Sequence, residues 1–228
     1  KNVTLNEDTT LHAVKERKLE TNNWMLNKIG RPKYITGEGV VVFVVDSGVS
    51  NHLEFHNRLV AIYDAMDDKL LHPEISSNND DNGHGTHVAG TCCGQQVGVA
   101  PGSIVVGIKV FGSSGGGSSR ILTKGLEFIQ RIVTNNFRDD AESWFAKNTL
   151  RKKCKGKCKF IVNLSLTTKK ELSSYEKING EIAGTIGSWY GIMKTLSENN
   201  GVIFVAAAGN YESIPAKNQA PSNLPFTI

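Results

Sequence analysis

The stretch Val40-Val41-Val42-Phe43-Val44-Val45 places six apolar residues in a row and ends on Asp46. A strand built from it has no polar face, so both sides must be covered. That is the condition of a strand inside a parallel sheet. Three similar runs follow: Ser103-Ile104-Val105-Val106-Gly107-Ile108-Lys109-Val110, Lys159-Phe160-Ile161-Val162-Asn163-Leu164 and Gly201-Val202-Ile203-Phe204-Val205-Ala206-Ala207. Helical patterns lie between them. Residues 121–135 put Leu122, Leu126, Ile129 and Val133 three and four apart, which makes one apolar stripe. Residues 184–199 form a second candidate, closed by Asn199-Asn200-Gly201, a good helix stop. Strands alternating with helices predict an α/β fold, a mostly parallel β-sheet flanked by helices. Sites in such sheets gather at the carboxyl ends of strands. Asp46 stands at one such end and Asn210 just past another.

A chain of 228 residues is long enough for one well-packed core, and one domain is expected. The formal charge of +4 shows no concentrated basic face, which argues against a nucleic-acid partner. The longest apolar run is far short of the ~20 residues that cross a bilayer, so no membrane partner is expected. The first residues, KNVTLNEDTT, lack the apolar stretch of a signal peptide. Cysteines are too few for a disulfide framework. Cys154 and Cys158 either bridge a local loop or stand as free thiols, whereas Cys92 and Cys93 suit small packing positions. Two segments read as surface insertions, 137–159 and 167–179. The first carries Arg151-Lys152-Lys153, Lys155, Lys157 and Lys159, and reads as a solvated loop more readily than as a dock for an acidic partner.

The strongest local signal is Asp80-Asp81-Asn82-Gly83-His84-Gly85-Thr86-His87-Val88-Ala89-Gly90. Glycines on both sides leave the His84 ring open to neighbours, and the small residues after it suit a closely packed helix. Asp46-Ser47-Gly48 follows the buried strand, where a carboxylate can orient an imidazole and stabilise its cation. In Ala206-Ala207-Ala208-Gly209-Asn210 nothing bulky crowds the site, and Asn210 offers an amide donor suited to a developing oxyanion. Two rivals compete. Zinc held by His84 and His87 lacks a third ligand at a supporting spacing. An aspartic protease needs a second Asp-Ser-Gly turn and leaves His84 unexplained.

Together, Val-Val-Asp-Ser-Gly-Val, Gly-His-Gly-Thr-His-Val-Ala-Gly-Thr and Ala-Ala-Ala-Gly-Asn resemble the subtilisin-like serine proteases, in the family's chain order. Secondary likenesses include His52-Leu53-Glu54-Phe55, Gly98-Val99-Ala100-Pro101 and Lys109-Val110-Phe111. The short run from His84 to Pro101 is closer to the proteinase K branch. The resemblance implies the three-layer subtilisin-like fold, a secreted or extracytoplasmic zymogen, and peptide-bond hydrolysis through an Asp-His-Ser triad. Asp46 would orient His84, His84 would be general base and acid, and Asn210 the oxyanion donor. Gly115, Gly116 and Gly117 would form one edge pairing with an extended polypeptide substrate, and Ser165, Leu166 and Thr167 the other. Thr167 and Thr168 replace the family's paired glycines beside its primary specificity pocket, which leaves pocket shape open. No cofactor or metal ligand is assigned, and calcium has no site that the sequence places.

The family's nucleophile lies in a Gly-Thr-Ser-Met-Ala-like helix start, and no such motif occurs here. The expectation is that residues 23–228 are the first two-thirds of a catalytic domain. The serine then lies outside this chain, in the remainder of the domain or on a separate chain, and the 228 residues alone are inactive. Val3-Thr4-Leu5-Asn6-Glu7-Asp8-Thr9-Thr10-Leu11 resembles the last strand of a subtilase propeptide, which makes residues 1–22 a candidate self-inhibitor and maturation junction. A catalytically inactive peptide-binding module of the same fold is the alternative.

Overall fold

A computed structural model describes residues 10–13, 24–32, 34–74, 79–155, 157–168, 185–210 and 213–228. The chain runs β1 (Thr10–Ala13), α1 (Trp24–Lys28), β2 (Val40–Asp46), β3 (Leu59–Asp64), β4 (Lys69–Leu71), α2 (His84–Cys93), β5 (Ile104–Lys109), β6 (Gly116–Ser118) and α3 (Ser119–Thr134). There follow α4 (Asp140–Trp144), a π-helical turn (Phe145–Leu150), α5 (Arg151–Lys153), β7 (Lys159–Leu164), β8 (Leu166–Thr168), α6 (Thr185–Asn200) and β9 (Ile203–Ala206).

The main sheet has the order β4-β3-β5-β2-β7-β9. Only β4, at one edge, is antiparallel to its neighbour. The all-apolar β2 is central, and its residues alternate between two cores. Val41, Phe43 and Val45 join Leu122, Leu126, Ile129, Trp189 and Met193 of α3 and α6. Val42 and Val44 join Val88, Ala89 and Cys93 of α2. The result is the helix–sheet–helix sandwich that a doubly apolar strand demands. The stop after α6 falls on Gly201 at φ +65°, a left-handed value that suits glycine.

The segment 137–159 is not a solvated loop. It is helical for most of its length, and Phe145, Ala146 and Leu150 lie in the main core. Glu142, 1% exposed, accepts from Arg131 of α3 through Nε at 3.0 Å and Nη2 at 2.8 Å. Burying a carboxylate is tolerable only with such a partner, so α4 is tied to α3. The basic side chains are carried on its outer turn, and Cys154 is joined to Cys158. Of the second expected insertion, Thr167 and Thr168 belong to the buried strand β8, and the rest lies outside the described residues. Two strands escaped the sequence reading, β3 and β4, although Leu59-Val60-Ala61-Ile62-Tyr63 carries the same signal as the other buried strands.

Candidate active site

Asp46 ends β2 and is fully buried. Its carbonyl accepts from the Val110 amide at 2.7 Å, so β5 pins the backbone at the strand end. The side chain accepts from the Ser47 amide at 2.7 Å. His84 opens α2, and its Nδ1 lies 2.8 and 2.9 Å from the two Asp46 oxygens. A carboxylate at this distance accepts from Nδ1–H, which leaves the lone pair on Nε2. Burial pushes the Asp46 carboxyl up, while hydrogen bonding and charge from His84 pull it down.

The glycines in both motifs are required by close approach. A Cβ on Gly85 would stand 2.1 Å from the Gly48 carbonyl oxygen and 3.0 Å from the Asp46 Cβ. Gly48, at φ +108°, would drive a Cβ to 1.9 Å from the Asn79 carbonyl oxygen. The loop after β2 and the start of α2 therefore touch backbone to backbone.

A residue that sequence reasoning passed over organises this contact. Asp80 Oδ1 accepts from Ser47 Oγ at 2.7 Å and from the Gly83 amide at 2.8 Å. Asp80 Oδ2 accepts from the Thr86 amide at 2.8 Å and from Thr86 Oγ1. Ser47 Oγ in turn accepts from the Gly85 amide at 2.9 Å, and Thr86 Oγ1 from the Ser50 amide at 2.9 Å. Asp80 thus caps the amides at the start of α2 and ties that turn to the Asp46 loop. Burial opposes ionisation of Asp80, but hydrogen bonds from Thr86, Ser47 and the two amides hold its carboxyl below the usual carboxylate range. The signal available in the sequence was an acidic residue just ahead of a helix start.

Asn210 follows β9 and Gly209, whose φ is +103°, and its side chain is exposed. β9 is parallel to β7, β7 to β2, so Asn210 and Asp46 lie at the same end of the sheet. His87, three residues along α2, is exposed, and among the described residues no group of three His, Cys, Asp or Glu side chains is arranged to hold a metal ion.

The two expected edges come together around a strand of the same chain. β1 lies between β6 and β8, antiparallel to both. Leu11 is opposite Gly117 and Thr168, and His12 opposite Gly116 and Thr167. Paired residues are Gly116, Gly117 and Ser118 on one side and Leu166, Thr167 and Thr168 on the other. Gly115 and Ser165 stand one residue outside this ladder. Gly115 turns at φ +73°, and the Ser165 hydroxyl accepts from Asn163 Nδ2 at 3.0 Å. The Gly115 end of β6 rests on the histidine motif, since Asn82 Nδ2 donates to the Ser113 carbonyl at 2.8 Å. β1 runs from Ser118 toward Gly116, and so toward the His84 end of the cleft.

The Asp46–His84 pair thus stands at the carboxyl end of a parallel sheet, beside a two-sided cleft that holds an extended strand of the same chain. The chain belongs to the subtilase family, whose model matches residues 37–228. It is 30% identical over 190 residues to subtilisin-like protease 3 of Arthroderma otae, covering 83% of this chain and 37% of that protein. It is 42% identical over 94 residues to alkaline serine exoprotease A of Vibrio alginolyticus, covering 41% of this chain and 16% of that protein. The chain thus spans well under half the length of these relatives. A cold-adapted subtilisin-like serine proteinase superposes with TM-score 0.55 at 27% identity, over 93% of this chain and 59% of that one. Fervidolysin from Fervidobacterium pennivorans, a keratinolytic enzyme related to subtilisin, shares the fold with TM-score 0.60 at 21% identity, over 89% of this chain and 30% of that one.

Proposed function

We propose that this chain is the larger part of the catalytic domain of a serine endopeptidase whose nucleophile lies outside these 228 residues. The observation that carries the reading is the His84 Nδ1 to Asp46 contact at 2.8 Å, which fixes the tautomer with its basic lone pair on Nε2. In this reading Nε2 accepts the serine hydroxyl proton as the oxygen attacks the peptide carbonyl. It then returns that proton to the leaving amine as the acyl-enzyme forms. Asp46 keeps Nδ1 protonated and stabilises the imidazolium. Asn210 donates its side-chain amide to the oxyanion. The substrate is polypeptide, held as a strand between Gly116–Ser118 and Leu166–Thr168.

The position of β1 supports reading residues 1–22 as a self-inhibiting precursor segment, because this strand lies between the two edges proposed to hold substrate. The Cys154–Cys158 bridge favours an oxidising, extracytoplasmic compartment. The test is labelling of the full-length protein by a fluorophosphonate probe, which requires a base-activated serine. The wild type is expected to label and His84→Ala to lose labelling. Equal labelling of the two refutes the assignment.

A further inference from the structure

We propose that Gln219 is a specificity-determining residue that closes the cleft beside the substrate edge and restricts cleavage to bonds following small residues. The inference rests on the endopeptidase reading above and deepens it.

Two backbone paths leave the sheet side by side. β7 continues through Ser165 into β8, and β9 continues through Ala207 to Gly209 and Asn210. Leu164 pairs with Ala206, and the Ala207 amide donates to the Leu164 carbonyl at 3.1 Å. A peptide lying on β8 must present its reacting carbonyl toward Asn210. The side chain of that residue then enters the gap between the two paths, and the free volume of the gap sets which side chains fit.

Gln219 occupies this gap. It is fully buried. Its Oε1 accepts from Thr167 Oγ1 at 2.7 Å, on the edge side. Its Nε2 donates to the Ile214 carbonyl at 2.7 Å. The far wall is in contact as well, since a Cβ on Gly209 would stand 2.2 Å from Gln219 Oε1. The neighbouring edge residue is fastened to the same loop. The Thr168 amide donates to the Ala220 carbonyl at 3.0 Å, and the Ala220 amide donates to Thr168 Oγ1 at 3.2 Å. Of the two threonines that depart from paired glycines, Thr167 therefore binds the filler and Thr168 fastens the next residue of its loop, Ala220. A substrate side chain cannot displace this carboxamide cheaply, because both its ends would lose buried hydrogen bonds. The volume that the Gln219 carboxamide takes between Thr167 and Gly209 is lost to an incoming side chain, which disfavours rings and branched chains.

The experiment is a comparison of kcat/KM for the full-length mature enzyme on peptides that differ only in the residue before the scissile bond. Alanine is expected to exceed phenylalanine and leucine by about tenfold or more, the range that pocket fit supplies. Gln219→Gly is expected to reverse that preference by a similar factor, and Thr167→Ser, which keeps the hydroxyl, to retain it. Gln219 has an extended backbone, so glycine fits its conformation. The wild-type profile decides even if Gln219→Gly does not fold. A wild type that labels with fluorophosphonate yet prefers phenylalanine or leucine overturns the inference alone. So does a labelled Gln219→Gly with the wild-type ratio. A protein that neither labels nor cleaves any peptide overturns the endopeptidase reading and this inference with it.

Discussion

Replacing Asp80 with alanine removes an acceptor shared by Ser47 Oγ, Thr86 Oγ1 and the amides of Asn82, Gly83 and Thr86. Hydrogen bonds to a charged acceptor contribute about 1.5–3 kcal/mol each when intact, and their donors cost about 1–3 kcal/mol when left buried and unpaired. The hydroxyls can rotate and water can enter beside the exposed Asn82, which offsets part of the loss. The expected cost is therefore about 3–5 kcal/mol. In a domain of this size each 1 kcal/mol lowers Tm by roughly 2–4 °C, so the drop should be near ~10 °C. The assay is thermal and urea unfolding of the full-length protein across pH. A carboxyl more acidic in the folded chain contributes stability above its unfolded pKa, near ~4. That contribution disappears as pH falls through the lower folded value. Asp80→Ala should therefore be least different from wild type in acid and most different at neutral pH. A cost below about 1 kcal/mol at pH 7, or a cost that does not shrink in acid, would refute the capping role.

Gly85→Ala should unfold or badly destabilise the protein, since its Cβ meets the Gly48 carbonyl oxygen at 2.1 Å; a Tm within a few degrees of wild type would contradict this. Asn210→Ala should lower kcat by about 10²–10³ with KM little changed if the amide serves the oxyanion, as steady-state kinetics on a peptide substrate would reveal. Glu142→Ala leaves Arg131 half-stranded beneath α4 and should cost about 3 kcal/mol by urea unfolding. Cys154→Ser with Cys158→Ser should cost about 2 kcal/mol, the chain-entropy value for so short a ring. A synthetic peptide of residues 1–22 should inhibit the mature enzyme competitively, and a purely non-competitive effect would count against β1 as occupant of the cleft.

The parts of the fold that were legible depend on local composition. A six-residue run such as 40–45 has no polar face wherever it is placed, so its burial followed from the residues alone. The Leu122 to Val133 stripe behaved likewise. The segment 137–159 misled because its many lysines and arginines are conspicuous, while the anchors Glu142, Phe145 and Leu150 are scattered among them. A buried glutamate looks like any surface glutamate until its arginine is known. The residues that pair with β1, 116–118 and 166–168, are shifted by one from the edges expected at 115–117 and 165–167. Glycine content marks where a backbone can be approached, but register is set by which amides face the cleft.

The sequence by itself determined the helix–sheet–helix class, the placement of Asp46 at a strand end, and the glycine-framed setting of His84. These follow from hydrophobic runs and glycine freedom, which act over a few residues. Only the tertiary structure decided that the Asp46 and His84 side chains meet, that Asp80 clasps both loops, that β1 lies in the cleft, and that Gln219 fills the space behind Thr167. Each joins residues from separate elements of the chain. The physical reason is that a hydrogen bond or an excluded volume depends on distance in space, and the backbone alone brings such residues within 3 Å.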